Sequence, residues 1–360
     1  MEEFSICSNF LLNSIDLNKK LQNKNLYYLK DYIIPELSEN DYKGCNGKIC
    51  VIGGNEIYCG APFLSAMTSL KLGADLCFVI TSKENSIPLK TYSSELIVYP
   101  YLYNKKSEIT KIEESDLEKC VEYLLNRIDS CVIGPGLGFL DETTKMCLIY
   151  IIKKFIEKNI FLILDADIIE FIITNNNLLE LIKNYENCIF TPNKNEFRKM
   201  ILILTDDKNI KFEQMDCYQI IYSAHKINSL FNGPKILIKG FYDIFISKNF
   251  FFVSFINNPC LKRLGGLGDI LTGLLAVFQC WVSKKKKIFL QPIKEVFNID
   301  NINYHNECLD ALAAFNGSYF LKILCKEGFN KNHRGVIASD IMNSIPHYFY
   351  NIYDKEKKKS

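Results

Sequence analysis

Short apolar runs that stop at loop-forming residues recur along this chain, and they constrain its fold more than any other feature. They are KICVIGG (48–54), LCFVI (76–80), ELIVYP (95–100), CVIGPG (131–136), IFLILDAD (160–167), CIFTPN (188–193) and KILIKG (235–240). Runs of this length, rich in β-branched residues, are typical of strands that are buried on both faces. We therefore predict a strand at each of them.

Amphipathic segments separate these runs and predict helices, for example over 61–73, 115–128, 141–158 and 213–231. Ser115 with Glu118, and Asn193 with Glu196, fit capping boxes at helix starts. Alternating strands and helices predict an α/β fold with a mostly parallel central sheet flanked by helices on both faces. Residues 243–255 predict a hairpin that adds antiparallel edge strands. In such sheets, ligands bind beyond the carboxyl ends of the strands.

Composition restricts the partners that the protein can have. The formal net charge is only +2, from 43 basic and 41 acidic side chains, so we expect no nucleic-acid or membrane partner. Homo-oligomerisation is left open. Fourteen cysteines without a C-x-x-C pair indicate reduced thiols, and Glu2 and Glu3 stand where a secretory signal needs positive charge. We expect a cytoplasmic protein, with a mitochondrial or other organellar location as the open alternative.

We expect a single domain over residues 28–350. Residues 1–27 form an N-terminal extension, 283–307 an insertion between two helices, and 351–360 a charged C-terminal tail. The lysine run at 284–287 is typical of a solvated surface.

The stretch RLGGLGDILTG (263–273) concentrates four glycines and one aspartate in front of a helix predicted from near Gly268 to Trp281. Free N–H groups and the helix dipole make such a start an anion site, and glycine lets an anion approach the backbone. Asp269, in the first turn, fits a general base beside a phosphate. The alternative is a tight turn in which Asp269 only caps the helix.

Other candidate residues also follow strands. Lys239, with Gly240 and Asp243, fits either a nucleotide contact or a hairpin turn with a solvent-exposed lysine. Asp165 and Asp167 fit a Mg²⁺ site or a helix cap. The segment GGNEIYCGAP (53–62) differs from the G-x-G-x-x-G fingerprint, which argues against an ordinary dinucleotide-binding oxidoreductase.

Six motifs taken in order resemble the ATP-dependent NAD(P)H-hydrate dehydratases, repair enzymes related to the carbohydrate kinases. They are KICVIGGNEIYCGAPFLSAMTSLKLGADL, VIGPGLG, LDAD, TPNKNEF, KGFYD and GGLGDILTG, and the resemblance runs from about Tyr27 to Tyr350. It implies a ribokinase-like fold. The implied reaction removes the water that has added to carbon 6 of the nicotinamide ring of NADH or NADPH, at the expense of ATP.

The resemblance also implies the site residues. Asp269 matches the catalytic aspartate, which also faces the hydrated cofactor. The implied ATP-binding set is Lys239, Gly240, Phe241, Tyr242, Asp243, Pro259, Cys260, Leu261, Lys262, Arg263, Leu264, Gly265, Gly266, Leu267 and Gly268. The implied set for the hydrated cofactor is Gly136, Gly138, Asn193, Lys194, Asn195, Glu196, Phe197, Arg198 and Lys199. Mg²⁺ would bridge the phosphates of the co-substrate ATP.

Two departures from the pattern indicate which branch of the family the chain resembles. Leu267 stands where related bacterial enzymes usually carry threonine, and TPNKNEF replaces their TPH-type start. Both resemble the eukaryotic, ATP-using branch. Two other functions stay open from the sequence: a ribokinase-like kinase that phosphorylates a vitamin-precursor alcohol, and a catalytically silent nucleotide-binding protein.

Overall fold

The structure is a computed structural model that describes residues 15–16, 33–106, 115–205, 215–254, 256, 260–285 and 304–354. Within these residues, ten strands form one sheet in the order β1-β10-β9-β8-β7-β6-β5-β2-β3-β4. The strands are β1 (Ile15–Asp16), β2 (Lys48–Ile52), β3 (Leu76–Ile80), β4 (Ile97–Tyr99), β5 (Ser130–Ile133), β6 (Phe161–Leu164), β7 (Cys188–Phe190), β8 (Lys235–Ile238), β9 (Asp243–Ile246) and β10 (Phe250–Ser254).

Eleven α-helices are described, followed in two places by a short turn of another type. The helices are α1 (Gly60–Leu72), α2 (Lys83–Tyr92), α3 (Asp116–Leu125), α4 (Glu142–Glu157), α5 (Asp167–Thr174), α6 (Asn176–Ile182), α7 (Lys194–Leu204), α8 (Cys217–Phe231), α9 (Leu267–Lys285), α10 (Tyr304–Asn332) and α11 (Ala338–Phe349). A 3₁₀ turn (His333–Gly335) follows α10, and a π turn (Tyr350–Asp354) follows α11.

The sheet separates two hydrophobic cores because successive side chains of a strand point to opposite faces. In β2, Ile49 and Val51 lie in the core formed with α1, α9, α10 and α11. Cys50 and Ile52 lie in the core formed with α3 to α8. All four side chains are fully buried, as expected for a strand covered by helices on both faces.

Strand pairing confirms the predicted fold class. Six neighbouring pairs in the sheet are parallel: β4–β3, β3–β2, β2–β5, β5–β6, β6–β7 and β7–β8. Strand β9 pairs antiparallel with β8 and with β10. Each predicted strand and the hairpin are present. After β4 the chain crosses to β5, on the other side of β2. This reversal of strand order opens a crevice at the carboxyl ends of β2 and β5, where ligands of such sheets bind.

The predicted peripheral segments are described only in part. Within 1–27, Ile15–Asp16 pair with β10 in parallel. Within 283–307, residues 283–285 continue α9 and 304–307 begin α10, while 286–303 lie outside the described residues. Tyr353 is buried in the core that contains α11, so the core continues past the predicted start of the tail.

The stretch Asn306–Gly335 comprises most of α10 and the 3₁₀ turn after it. It is long and apolar enough to span a membrane by length and composition, but 83% of its apolar window is buried within the protein. The described cysteines carry free thiols.

Candidate functional site

Helix α9 begins at a glycine-rich turn whose shape depends on Gly266. Gly266 has φ = +88°, and a Cβ built on it would lie 2.5 Å from Leu64 Cδ1 and 3.0 Å from Ala338 Cβ. A larger residue would therefore be strained and crowded there. The first hydrogen bond of the helix is donated by the Ile270 N–H to the Gly266 carbonyl. The N–H groups just before Ile270 have no carbonyl one turn earlier, so this helix end can bind an anion.

A buried ionic network lies beneath this helix start. Asp165, which follows β6, is 2% exposed and accepts hydrogen bonds from the Thr191 hydroxyl at 2.8 Å and from the Lys239 ammonium. The Lys239 side chain is only 17% exposed, so the interpretation as a hairpin turn with a solvent-exposed lysine is wrong. A Cβ on Gly268 would lie 3.2 Å from Lys239 Nζ and 3.6 Å from Asp165 Oδ2. Glycine at the second position of α9 thus lets the helix end approach the ion pair.

Asp269 lies in the first turn of α9 and feels this network directly. Burial raises the pKa of its carboxyl group to about 7; the negative charge of Asp165 also raises it, and Lys239 opposes the shift. Capping alone would stabilise the charged form and lower the pKa. The carboxyl group can instead exchange a proton near neutral pH, as a general base must.

The turn from Lys239 to Asp243 is held in shape by the Asp243 carboxylate. Its Oδ1 accepts the Gly240 N–H at 2.8 Å. Its Oδ2 accepts the Ser318 hydroxyl at 2.7 Å and pairs with Lys322 Nζ at 3.1 Å. Asp243 is buried, so its carboxylate organises the turn, and an ATP contact would come from the backbone around it.

A cavity of about 370 Å³ lies between this turn and the start of α9. From the implied ATP-binding set, it brings together Lys239, Gly240, Phe241, Asp243, Cys260, Lys262, Arg263, Leu264, Leu267 and Gly268. Tyr242, Leu261 and Gly265 are exposed residues of the same two segments, and Pro259 lies outside the described residues. Lys262 Nζ donates to the Arg334 and Val336 carbonyls at 2.7 Å each, which ties the loop before α9 to the segment before α11.

Helix α7 begins with the predicted capping box, which the structure confirms. The Asn193 side chain accepts the Asn195 and Glu196 N–H groups, and the Glu196 carboxylate accepts the Asn193 N–H at 2.8 Å. The backbones of Asn193 and Lys239 also form an isolated parallel β-bridge. Burial raises the pKa of Glu196, and Lys239 opposes this shift. The capping box is therefore within electrostatic reach of the ionic network.

The remaining residues of TPNKNEFRK divide between surface and core. Lys194, Asn195, Arg198 and Lys199 are exposed, and Lys199 pairs with Glu170. Phe197 is fully buried in the core formed with α3 to α8, so its side chain does not face the site. The cavities beside α7 are lined by Asn195, Glu196 and Lys199 from this helix, together with its cap Asn193.

Gly136 and Gly138 shape the loop after β5. Their φ values are +68° and +64°, and a Cβ on Gly138 would overlap Asn55 Nδ2. Asn55, in the loop after β2, donates to the Leu137 carbonyl at 2.8 Å. The Gly138 N–H donates to Asp167 Oδ2 at 2.9 Å. The loops after β2 and β5 and the start of α5, which follows β6, are therefore joined by direct hydrogen bonds.

Three cavities follow one another along this edge of the sheet. The largest, about 950 Å³, lies at the crevice between β2 and β5 and is lined in part by Gly138 and Asp167. A cavity of about 210 Å³ between α5 and α7 shares Asp167 with it. The second cavity also shares Asn193 with the 370 Å³ cavity at α9. An elongated ligand could thus extend from the β2–β5 crevice to Lys239.

The described side chains do not form a complete coordination shell for a metal ion. Among the described residues, no group of three or more histidine, cysteine or carboxylate side chains is placed to hold a metal. Asp165 is engaged with Lys239, and Asp167 with the Gly138 N–H. Between them Ala166 has φ = +57°, an unusual backbone conformation for alanine. Such a set fits a Mg²⁺ that arrives on nucleotide phosphates and meets one or two carboxylates.

Some residues of the site carry no sequence signal of their own. Thr191 and Asn55 belong to quoted motifs, but their hydrogen bonds to Asp165 and Leu137 span 26 and 82 residues. Ser318 and Lys322 lie in α10, in none of the motifs. Only the fold brings them to Asp243.

Comparison with known proteins identifies the family of this chain. The family of NAD(P)H-hydrate dehydratases matches residues 49–306. A relative from Entamoeba histolytica, named ATP-dependent (S)-NAD(P)H-hydrate dehydratase, is 32% identical over 326 residues, covering 90% of this chain and 94% of its own length.

Solved structures share the fold. A ribokinase-like superfamily protein from Enterococcus faecalis superposes with a TM-score of 0.61 at 22% identity, over 92% of this chain and 99% of its own. The ADP/ATP-dependent NAD(P)H-hydrate dehydratase of Bacillus subtilis, co-crystallised with ATP and Mg²⁺, gives 0.59 at 16% identity, over 91% and 98%. The fold is therefore ribokinase-like, as predicted, and the chain belongs to the NAD(P)H-hydrate dehydratase family.

Proposed function

We propose that this protein removes water from the S form of hydrated NADH and NADPH, restoring the reduced cofactor while ATP is converted to ADP and phosphate. The observation that carries the proposal is Asp269, a carboxyl group with a pKa of about 7 at the start of α9, beside Lys239 and the turn of Gly266 and Gly268. That arrangement places a base next to an anion site. Family membership and the ATP-dependent relatives support the same substrates.

The first step transfers a phosphoryl group. The Asp269 carboxylate accepts the proton of the C6 hydroxyl, whose oxygen forms a bond to the γ-phosphorus of ATP. The bond from that phosphorus to the bridging oxygen breaks, and ADP leaves. Positive groups aimed at the transferring phosphoryl group stabilise its charge: the N–H groups at the start of α9 and the Lys239 ammonium.

The second step restores the cofactor. Phosphate is a far better leaving group than hydroxide, so the C6–O bond breaks and the ring nitrogen supplies the electron pair. A proton then leaves C5, which forms the C5–C6 double bond of the dihydropyridine. The sum is hydrated NADH plus ATP giving NADH, ADP, phosphate and a proton.

Magnesium is proposed as the ion that accompanies ATP. It would be held by the phosphates together with one or both of the carboxylates that follow β6, those of Asp165 and Asp167. When bound, it would neutralise charge on the phosphates.

The cytoplasm is proposed as the compartment. The described cysteines are free thiols, which supports a reducing environment. Fractionation of cells that express the tagged protein tests this, and recovery of the protein only from an organelle would refute it.

The test of the activity follows the absorbance of the reduced nicotinamide. Purified protein is mixed with the S hydrate of NADH and with ATP, ADP or no nucleotide. We expect the absorbance to return with ATP, with one phosphate released per NADH. Consumption of ATP with a stable phosphorylated product and no absorbance would indicate the small-molecule kinase instead. ATP binding without any phosphate release would indicate the silent protein.

A further inference from the structure

We propose that Tyr58 and Phe139 form an aromatic platform for the adenine ring of the hydrated dinucleotide. This assignment rests on the proposed function and names the part of the substrate that the 950 Å³ cavity receives. Tyr58 follows β2, Phe139 follows β5, and both line this cavity.

These side chains are unusually exposed for their type. Phe139 is 91% exposed and Tyr58 is 53% exposed, although both are large apolar rings. Ile57, beside Tyr58, is 71% exposed and lines the same cavity. Three large apolar side chains around one cavity make a site that a ligand ring can cover, since isolated exposed residues are ordinary but clusters are not.

The loops that carry the rings are braced by hydrogen bonds. The Asn55 side chain accepts the Ile57 and Tyr58 N–H groups at 2.8 and 2.9 Å and donates to the Leu137 carbonyl at 2.8 Å. The Tyr58 ring lies against Gly138, where a Cβ would be 3.2 Å from two ring carbons. A platform fixed before binding loses little conformational entropy when a ring stacks on it.

Position decides which ring of the substrate stacks here. The reacting nicotinamide ring must lie at Asp269, over the ends of β6 and β8. The midpoint between β2 and β5, whose loops carry the two rings, and the midpoint between β6 and β8 are two and a half strand spacings apart, about 12 Å at roughly 4.8 Å each. The platform is therefore too far away for the reacting ring. Asp167 joins the platform to the site, because it accepts the Gly138 N–H and lines the adjoining cavity.

The lysines near the cavity do not carry this assignment. Lys106 pairs with Glu56, and Lys145 pairs with Glu142 at 2.7 Å. These two cations are already balanced by carboxylates, and the third lysine of the lining, Lys105, donates its backbone N–H to Asp141 at 2.8 Å. The rings remain the groups that can recognise a base, because an aromatic side chain stacks on its π face.

The experiment compares two hydrated substrates that differ only in whether they carry the adenosine monophosphate half. One is the hydrate of NADH, and the other is the hydrate of reduced nicotinamide mononucleotide, which lacks the adenosine monophosphate half. The variants are Phe139→Ala and Tyr58→Ala, with Phe139→Trp as the conservative change. Tyr218→Ala is the matched control, because Tyr218 is 67% exposed on α8 and lines none of these three cavities.

We expect Phe139→Ala and Tyr58→Ala each to lower kcat/KM for the NADH hydrate about tenfold through KM, with kcat and the KM for ATP unchanged. Both should turn over the mononucleotide hydrate at the wild-type rate, and Phe139→Trp should keep wild-type kinetics with both substrates. Equal losses with both substrates, or no loss with the NADH hydrate, would overturn the assignment. No kinetic change together with a lower oligomeric state in sedimentation would also overturn it, in favour of a second copy of the chain as the occupant.

Wild-type turnover separates this assignment from the proposed function. If the wild-type protein converts the NADH hydrate and the alanine variants match it, only the platform is refuted. If the wild-type protein converts neither hydrate, the proposed function itself is refuted, and the platform with it.

Discussion

Asp269 owes its chemistry to neighbours that are distant in sequence. Asp165 lies 104 residues before it and raises its pKa, Lys239 lies 30 residues before it and lowers it, and burial contributes the largest share. All three residues are candidates from the sequence alone. That Asp165 and Lys239 form an ion pair, and that the pair tunes the pKa of Asp269, could not be predicted, because both depend on distances across the sheet.

At the residue scale, the account predicts a pH profile. A general base must be deprotonated, so kcat/KM for the hydrate should rise with pH, bend near pH 7 and level off above it. At pH 5 the value should be about a hundredfold below the plateau, since protonation removes the base in proportion to acidity. Steady-state rates from pH 5 to 9 measure this. An acid limb centred near pH 4, the ordinary value for aspartate, would contradict the raised pKa.

Helix α9 combines two functions along its length. Its first turn approaches the ionic network at Gly268, where a Cβ would lie 3.2 Å from Lys239 Nζ. One turn later, a Cβ on Gly273 would overlap the Ser65 carbonyl, so the helix also packs closely on α1. The helix and the anion site at its start are predictable from the sequence. The close packing at Gly273 could not be predicted from the sequence. A glycine that is needed for close packing cannot be distinguished, in the sequence alone, from a glycine in a flexible segment.

At the element scale, Gly268→Ala should separate activity from stability. Alanine is the better helix former by about 0.8 kcal/mol, so the melting temperature should hold or rise. The new Cβ would lie 3.2 Å from Lys239 Nζ, so we expect the ammonium to shift and the kcat to fall about tenfold. Gly60→Ala is the matched control, because Gly60 begins α1 and a Cβ there would meet no atom within 4 Å. Unchanged kcat in Gly268→Ala would refute the close approach.

For the whole molecule, the features that could be predicted from the sequence are the local ones. The buried strands, the hairpin and the Asn193 capping box are each encoded in a few adjacent residues, and the parallel sheet follows from the alternation of strands and helices. The structure confirms all four. The strand order is not local, because it depends on the crossing from β4 to β5. The platform of Tyr58 and Phe139 was missed for that reason, since only the strand order makes these residues neighbours of one cavity.

The amino end of β8, opposite the end at which Lys239 lies, has a structural role that can be tested separately. Lys235 begins β8 and pairs with Asp310 of α10 at 2.8 Å, with exposed side-chain fractions of 5% and 2%. Lys235→Met should lower the free energy of unfolding by about 3–5 kcal/mol, because it removes the cation that pairs with a buried carboxylate. The double variant Lys235→Met/Asp310→Leu should recover part of the loss. Chemical denaturation measures this, and a Lys235→Met protein as stable as wild type would contradict it.

The most direct test of the account replaces Asp269 by asparagine, which keeps the shape of the side chain and removes its basicity. Single-turnover formation of NADH from the S hydrate and ATP is measured together with ATP binding by calorimetry. The account predicts a rate at least about a thousandfold below wild type with ATP affinity within a few-fold. NADH formation near the wild-type rate by Asp269→Asn, with ATP bound, would contradict the assignment of Asp269 as the base.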